Sequence, residues 1–219
     1  ALIALGVANH MVMAGNRVVV SLYALHLEAS PAVVGVLLAL YAFLPMFTAV
    51  AAGRLSDRIG VRRPMLIGSL ALAVGAGLPA LMPGLPALFV SATIVGVAFM
   101  LFQVATQNAT GEMGGPGERA HNFSLLALGY SVSGILGPLI AGFTIDHGSY
   151  WLAFAVLAVI PLVPVAVLGA GKLVLPGPHP AREARPAGGA LALLTHVKLR
   201  RVFFVNVLLA MGWDLHMIV

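Results

Sequence analysis

Two charged side chains stand within long apolar stretches of this sequence, where an ionised group has few polar neighbours. Arg17 lies in the stretch 3–27 and Asp214 in the stretch 202–219. If these stretches cross a bilayer, an ionised side chain near its centre costs about 2.5–3.5 kcal/mol and needs water or a partner. We therefore expect both charges to face one central, hydrated cavity and to pair in one of its states. A static structural ion pair, or two charges with separate partners, is the alternative.

An internal repeat relates the two charges. A shift of 197 positions places Asn9 on Asn206, Gly15 on Gly212 and Arg17 on Asp214. Parallel repeats of helices occur in large polytopic membrane proteins, and segments related by such a repeat lie at matching depth. Opposite charges at matching depth are what a central pair requires.

Polar side chains also share one face of two apolar segments. With about 100° of rotation per residue, each set covers roughly a third of a helix surface. The first set is Asn9, His10, Met13, Asn16, Arg17 and Val20, and the second is Gly96, Phe99, Gln103, Thr106, Gln107 and Thr110. Because a polar group in lipid is costly unless it is paired, we expect these faces to look inward and line a cavity. Hydrogen bonds between helices are the alternative, and His10 either titrates near neutral pH or is a hydrogen-bonded structural residue.

The overall composition identifies lipid as the solvent of these segments. Of 219 residues, 60% are hydrophobic and 9% are charged, whereas soluble domains carry roughly 25% charged residues. So little polar surface cannot cover a globule in water. Cysteine is absent, which excludes disulfides and thiolate metal sites. We predict no metal site, no cofactor and no enzymatic activity.

Six complete apolar spans and part of a seventh are predicted, each near the length of about 20 residues that crosses a bilayer as a helix. They lie near 3–27, 32–52, 64–83, 86–111, 121–144, 150–171 and 202–219. This pattern predicts an all-α integral membrane protein. Its parts are a six-helix bundle at 1–171, a linker at 172–201 and the start of a second bundle at 202–219. Since the sequence begins without Met and ends within an apolar run, we expect it to be part of a longer chain.

The basic residues indicate how the spans are oriented. The formal net charge is +5, and all basic residues except Arg17, which lies within the first span, fall in alternate connectors. They are Arg54, Arg58, Arg62, Arg63, Arg119, Lys172, Arg182, Arg185, Lys198, Arg200 and Arg201. Basic loops stay in the cytoplasm, so we expect these connectors and the amino terminus to be cytoplasmic. Charges placed in this way give no indication of nucleic-acid binding, although those of the linker could contact anionic lipid.

The connector between the second and third spans carries a motif. Within the run 53–63 the matching positions are Gly53, Leu55, Asp57, Arg58, Gly60 and Arg62. At this place in the chain the run resembles the signature loop of the major facilitator superfamily, although Val61 stands where that family has a basic residue. The resemblance implies a latch that holds two halves closed on the cytoplasmic side. In it Asp57 meets the positive end of a helix, and the arginines pair with Glu112. A topology signal alone is the alternative.

The fifth span contains a second motif. Gly134, Gly137, Pro138 and Gly142 are similar to the glycine-proline motif of proton-coupled exporters in the same family. Small residues allow helices to approach closely, and an internal proline bends a helix. A packing kink without further role is the alternative. The fourth span departs from the family, because Ala92 stands where many of these exporters have an arginine tied to proton transfer.

The resemblance implies twelve helices in two bundles that rock around a central site lined by the first and fourth spans. Site residues would then be Arg17, Asp214, Asn9, Asn16, His10, Gln103 and Gln107. A proton-coupled exporter of a small, drug-like molecule in a bacterial inner membrane is the expectation. Uptake of a nutrient or organic anion, and a non-transporting scaffold or receptor, are the alternatives. The oligomeric state is left open.

Overall fold

The structure is a computed structural model that describes residues 1–113, 115, 117–178, 199–201, 204–205 and 208. The chain divides into two compact units, Ala1–His179 and Pro180–Val219. In the second unit the described residues are helical. Asp214, and with it most of the predicted span 202–219, lies outside the described residues.

The first unit consists of helices throughout its described regular structure. They are α1 (Leu2–His26), α2 (Pro31–Ile59), α3 (Arg62–Leu81), α4 (Leu85–Glu112), α5 (Arg119–Asp146), α6 (Tyr150–Val159) and α7 (Leu162–Gly169). Six helices, counting Tyr150–Gly169 as one, are long and apolar enough to cross a membrane. The predicted all-α class with six spans in this part of the chain is therefore confirmed.

Local sequence explains where several helices begin. Ser30 precedes α2 and accepts a hydrogen bond from the backbone nitrogen of Val33 at 3.4 Å, and Pro31 occupies the first turn. Ser149 caps α6 in the same way through the backbone nitrogen of Leu152 at 3.2 Å. Such caps satisfy amide groups that the first turn of a helix leaves without partners. They position the short connectors at the end of the bundle opposite the basic residues.

The second helix is longer than the sequence indicated. We predicted an end near 52, and this was wrong, because α2 continues to Ile59 and only Gly60 and Val61 separate it from α3. Gly53, Asp57 and Arg58 thus belong to the last turns of a helix and not to a loop. A basic residue in a last turn interacts favourably with the negative end of the helix, so the charges there do not terminate it.

Glycines lie where the helices cross most closely. Gly15 on α1 faces Gly137 on α5, and a Cβ at Gly15 would be 2.8 Å from the Gly137 carbonyl oxygen. On α4, a Cβ at Gly96 would be 2.9 Å from the backbone of Tyr41 on α2. Small residues let backbones approach, and in lipid this packing replaces the hydrophobic effect as the source of helix association.

Helices α1 and α5 lie parallel along much of their length. Gly129 on α5 packs against Val7, and Gly137, two turns later, packs against Gly15, two turns after Val7. Helix α4 packs on α2 and α3, and α3 packs on α6. Helices α2 and α5 are the least buried of the six spans, with 17% of an 18-residue stretch of each buried within the structure. Helix α1 itself contacts each of the helices α2 to α7, so its polar side chains are within reach of several neighbouring helices.

Candidate functional site

Two of the predicted polar residues on α1 are buried between helices. The side-chain nitrogen of Asn9 donates to the Ser69 hydroxyl on α3 at 2.7 Å. The Tyr41 hydroxyl on α2 donates to the side-chain oxygen of Asn16 at 2.6 Å. Both asparagines are 0% exposed. In this structure they cross-link α1 to its neighbours, which is the alternative that the sequence left open for them.

Arg17 occupies the middle of α1 and is partly buried. Its guanidinium interacts electrostatically with the neighbouring Tyr41 hydroxyl, and its backbone oxygen accepts a hydrogen bond from Ser21 at 2.8 Å. Within the described residues, the guanidinium forms no ion pair and no hydrogen bond. Since Asp214 lies outside that part, the proposed pair between the two stays a prediction.

His10 is held by the side chains of two other helices. Its Nδ1 is 2.7 Å from the Ser133 hydroxyl on α5. Tyr130, also on α5, stacks on the imidazole with ring centroids 4.7 Å apart and an interplanar angle of 15°. Phe99 on α4 lies against the ring at 5.6 Å and 60°. Ser133 Oγ also donates to the Tyr130 backbone oxygen at 2.9 Å. The imidazole is thus fixed at the junction of α1, α4 and α5.

The polar residues of α4 fall into two groups. Thr106 and Thr110 are buried, and each hydroxyl donates to a carbonyl oxygen one turn earlier in the same helix, at 2.9 and 2.8 Å. Gln103 is partly buried, and Gln107 is exposed. The amides are therefore the side chains of this face that can meet a ligand, whereas the threonines satisfy their own helix. Gln103 is one turn from Phe99 and so close to the His10 junction.

Two residues of the run 53–63 contact a segment that lies more than 100 residues further along the chain. Arg62, the first residue of α3, donates through Nη2 to the carbonyl oxygens of Gly171, at 3.1 Å, and Leu173. Gly60 has a φ of +78°, and a Cβ there would be 3.2 Å from the backbone nitrogen of Pro178. The segment 171–178 therefore crosses the turn between α2 and α3. This docked segment was predicted to begin a linker between halves.

The remaining residues of the predicted latch lie at the surface of the same end of the bundle. Asp57, Arg58 and Glu112 are exposed, and Gly53 is partly exposed. Glu112 takes part in an interaction already within the chain. Two clefts of about 460 and 320 Å³ lie along this half of α2, and neither is lined by a predicted substrate-binding residue. The latch itself stays a prediction.

The residues of the glycine-proline motif of α5 differ in how closely other helices pack against them. A Cβ at Gly137 would collide with the carbonyl oxygen of Met11 and would be 2.8 Å from the nitrogen of Gly15. Gly134 and Gly142 have no neighbouring atom within 4 Å of a Cβ. Pro138 lies within the continuous helix and is partly buried. Close helix contact in this motif is thus concentrated at Gly137.

Four residues that the sequence reasoning did not select take part in the contacts around α1. They are Tyr41, Ser69, Tyr130 and Ser133. Each is a polar side chain within an apolar segment, and this signal was available in the sequence. Their partners depend on which helices are neighbours, which the order of the segments does not reveal.

Comparison with known proteins identifies the family. The model of the Major Facilitator Superfamily matches residues 2–219. This chain belongs to the Major Facilitator Superfamily. Its membership and its six membrane-crossing helices make it an integral membrane protein of a transporter family, and family and fold point away from an enzyme.

Two named bacterial proteins have similar sequences. The Multidrug efflux pump LfrA of Mycolicibacterium smegmatis is 31% identical over 121 residues, and the Tetracycline resistance protein, class C, of Escherichia coli is 35% identical over 126 residues. The matched regions are 55% and 56% of this chain, but 24% and 31% of those proteins.

The fold is similar to that of a solved transporter. A crystal structure of the peptide transporter POT in complex with sulfate matches with a TM-score of 0.72 and 22% identity. The match covers 97% of this chain and 46% of that chain. This chain thus spans less than half the length of its structural relative.

Proposed function

We propose that the protein to which this chain belongs is a secondary transporter that exports a small organic molecule in exchange for protons. Arg17 is the observation that carries the proposal. It is a partly buried guanidinium in the middle of a span, and the described residues give it no ionic partner. A charge near the bilayer centre costs about 2.5–3.5 kcal/mol unless it meets water, an acid or a ligand. When two halves rock around a central site, the guanidinium meets water, an acid and a ligand in turn.

Export is favoured over uptake by the two relatives in sequence, whose names describe drug efflux and tetracycline resistance. In the proposed cycle, the ionised carboxylate of Asp214, from the second half, pairs with Arg17. Protonation of this carboxylate breaks the pair. Gln103 and Gln107 offer hydrogen bonds to the substrate. Asp57, Arg58 and Glu112 close the cytoplasmic end of a protein in the bacterial inner membrane.

Everted membrane vesicles test this proposal. Vesicles containing the full-length protein and a trapped pH dye are energised until the lumen is acidic, and a probe is then added outside. Ethidium, tetracycline and benzoate serve as the cationic, zwitterionic and anionic probes. We expect lumenal alkalinisation by at least one of them. Arg17→Ala should reduce its rate to below about one tenth, the equivalent of losing one electrostatic contact at the central site.

Arg119→Gln is the matched control, because Arg119 is an exposed basic residue at the start of α5. Its flux should equal that of the wild type. Folded protein that gives no alkalinisation with any probe would contradict proton-coupled export. Uptake is then measured in right-side-out vesicles with benzoate, since the guanidinium of Arg17 favours an anion. Unchanged flux in Arg17→Ala would contradict the central role of this residue.

A further inference from the structure

The His10 junction has a feature that the central charges do not explain. An imidazole within a span is held by a hydrogen bond to Ser133 at 2.7 Å and by two aromatic rings. The contacts come from α4 and α5, so the ring has a defined orientation. Only one of its nitrogens is used, because the described residues give Nε2 no hydrogen-bond partner.

The hydrogen bonds of Ser133 favour one tautomer of the neutral ring. A serine hydroxyl has one hydrogen to donate, and Ser133 donates it to the Tyr130 carbonyl oxygen at 2.9 Å. With its hydrogen in that bond the hydroxyl accepts from His10, an arrangement in which Nδ1 is the protonated nitrogen. In neutral imidazole the other nitrogen is then an acceptor. Nε2 consequently has an open lone pair.

We propose that Nε2 of His10 is a second site, besides Asp214, at which the transporter takes up and releases a proton that it exchanges for its substrate. This inference rests on the proposed proton-coupled export. A proton passes from hydronium in the open compartment to the Nε2 lone pair, which gives imidazolium and water. It later returns to water on the other side. The bond from Nδ1–H to Ser133 persists in both forms, so proton uptake requires no rearrangement of the ring.

The groups around the His10 imidazole are compatible with its reversible protonation. Tyr130 and Ser133 face it from α5, and Phe99 faces it from α4. The stacked Tyr130 face attracts a cation. On α1 itself, Arg17 lies two turns away, about 10 Å along the axis. Its charge repels the imidazolium until an acid or an anionic group neutralises it. Occupancy of the central site and proton binding at His10 are thereby coupled.

The test uses His10→Asn in the full-length protein. The amide nitrogen of Asn occupies the position of Nδ1 and can still donate to Ser133, but it does not titrate. Protein in proteoliposomes is assayed with the probe that alkalinises everted vesicles, ethidium or tetracycline. Two fluxes are measured, accumulation driven by a pH gradient and exchange of labelled for unlabelled probe at equal pH. We expect accumulation below about one tenth of the wild-type value and exchange within about twofold of it.

The outcomes separate this inference from the proposed function. A wild type without gradient-driven accumulation contradicts proton-coupled export itself. A wild type that accumulates the probe, together with a His10→Asn protein that does so equally well, overturns only the assignment of His10. A merely structural histidine would give this second result, because Asn keeps the hydrogen bond.

A spectroscopic measurement keeps the inference testable if His10→Asn folds poorly. In ¹⁵N-histidine-labelled full-length protein, the resonances absent from His10→Gln belong to His10. We expect the Nδ1–H tautomer at high pH and uptake of a proton on Nε2 at lower pH. Ser133→Ala is the control, since it removes the acceptor and should mix the two tautomers while Nε2 still titrates. A neutral ring protonated on Nε2 in the wild type, or one that does not titrate, would overturn the proposal.

Discussion

Gly137 shows how a single hydrogen atom in place of a side chain decides a helix crossing. A Cβ at this position would meet the backbone of α1 at Met11 and Gly15. Backbone atoms in a helix cannot move aside as the end of a flexible side chain can. The contact therefore depends on glycine for steric reasons and not because of its backbone conformation.

Gly137→Ala should separate α1 from α5 and lower the free energy of unfolding by about 1–3 kcal/mol, as overpacking does elsewhere. The measurement is the thermal unfolding midpoint of the full-length protein in detergent. Gly134→Ala is the matched control on the same helix, because a Cβ there meets no atom within 4 Å. Alanine also favours a helix over glycine by about 1 kcal/mol. Equal midpoints for the two variants would show that the crossing tolerates a methyl group.

The polar residues of α1 were predictable as a set, but their partners were not. Helical periodicity alone places Asn9, Asn16 and His10 on one arc. The partners of these side chains belong to α3, α2 and α5, respectively. Which helices surround α1 is a property of the packed bundle, and the parallel pairing of α1 with α5 joins segments far apart in the chain. Composition and periodicity carry no information about that pairing.

Helix existence and helix ends were predicted with different success. Twenty or more apolar residues specify a span, and all six in this unit are present. The end of α2 was placed too early because charged residues were read as a loop, although they continue the helix beyond its apolar part. The sixth span is interrupted at Ile160 and Pro161. Proline has no backbone N–H to donate, and apolar periodicity does not report this break.

The segment 171–178 is the element whose position was least expected. It docks on the turn between α2 and α3 through Arg62, and Leu173 and Leu175 pack against a core cluster at the same end of the bundle. Hydrogen bonds from a charged donor contribute about 1.5–3 kcal/mol where they are protected from water. Arg62 thus stabilises the start of the stretch that was predicted to be a linker between halves.

Removal of this anchor should release the segment. In Arg62→Ala we expect trypsin to cleave after Lys172 roughly tenfold faster than in the wild type, because local opening becomes easier by about 1.4 kcal/mol. The rate is measured by mass spectrometry on folded, full-length protein. Arg63→Ala is the control, since Arg63 is exposed and the structure shows no hydrogen bond from it within the described residues. Equal cleavage in both variants would mean that Arg62 does not hold the segment.

For the whole molecule, the distribution of basic residues predicts which side of the membrane each end faces. This sequence contains no cysteine, so single cysteines can report accessibility. Gly117→Cys lies in the connector before α5, and Met82→Cys lies between α3 and α4, at the other end of the bundle. In everted vesicles a membrane-impermeant maleimide should label Gly117→Cys and leave Met82→Cys unlabelled. The reverse pattern would place the basic connectors outside the cytoplasm.

The backbone contact between Gly15 and Gly137 has a mechanical consequence. Two helices that touch without intervening side chains cannot slide or tilt separately without a clash, so α1 and α5 must move as one body. His10 and Ser133 belong to this body, and their hydrogen bond should keep its length while the two halves rock. What changes during the cycle is then the hydration and protonation of Nε2, while the hydrogen bond between Nδ1 and Ser133 stays the same. Selection between the two compartments would reside in the water column that reaches the ring.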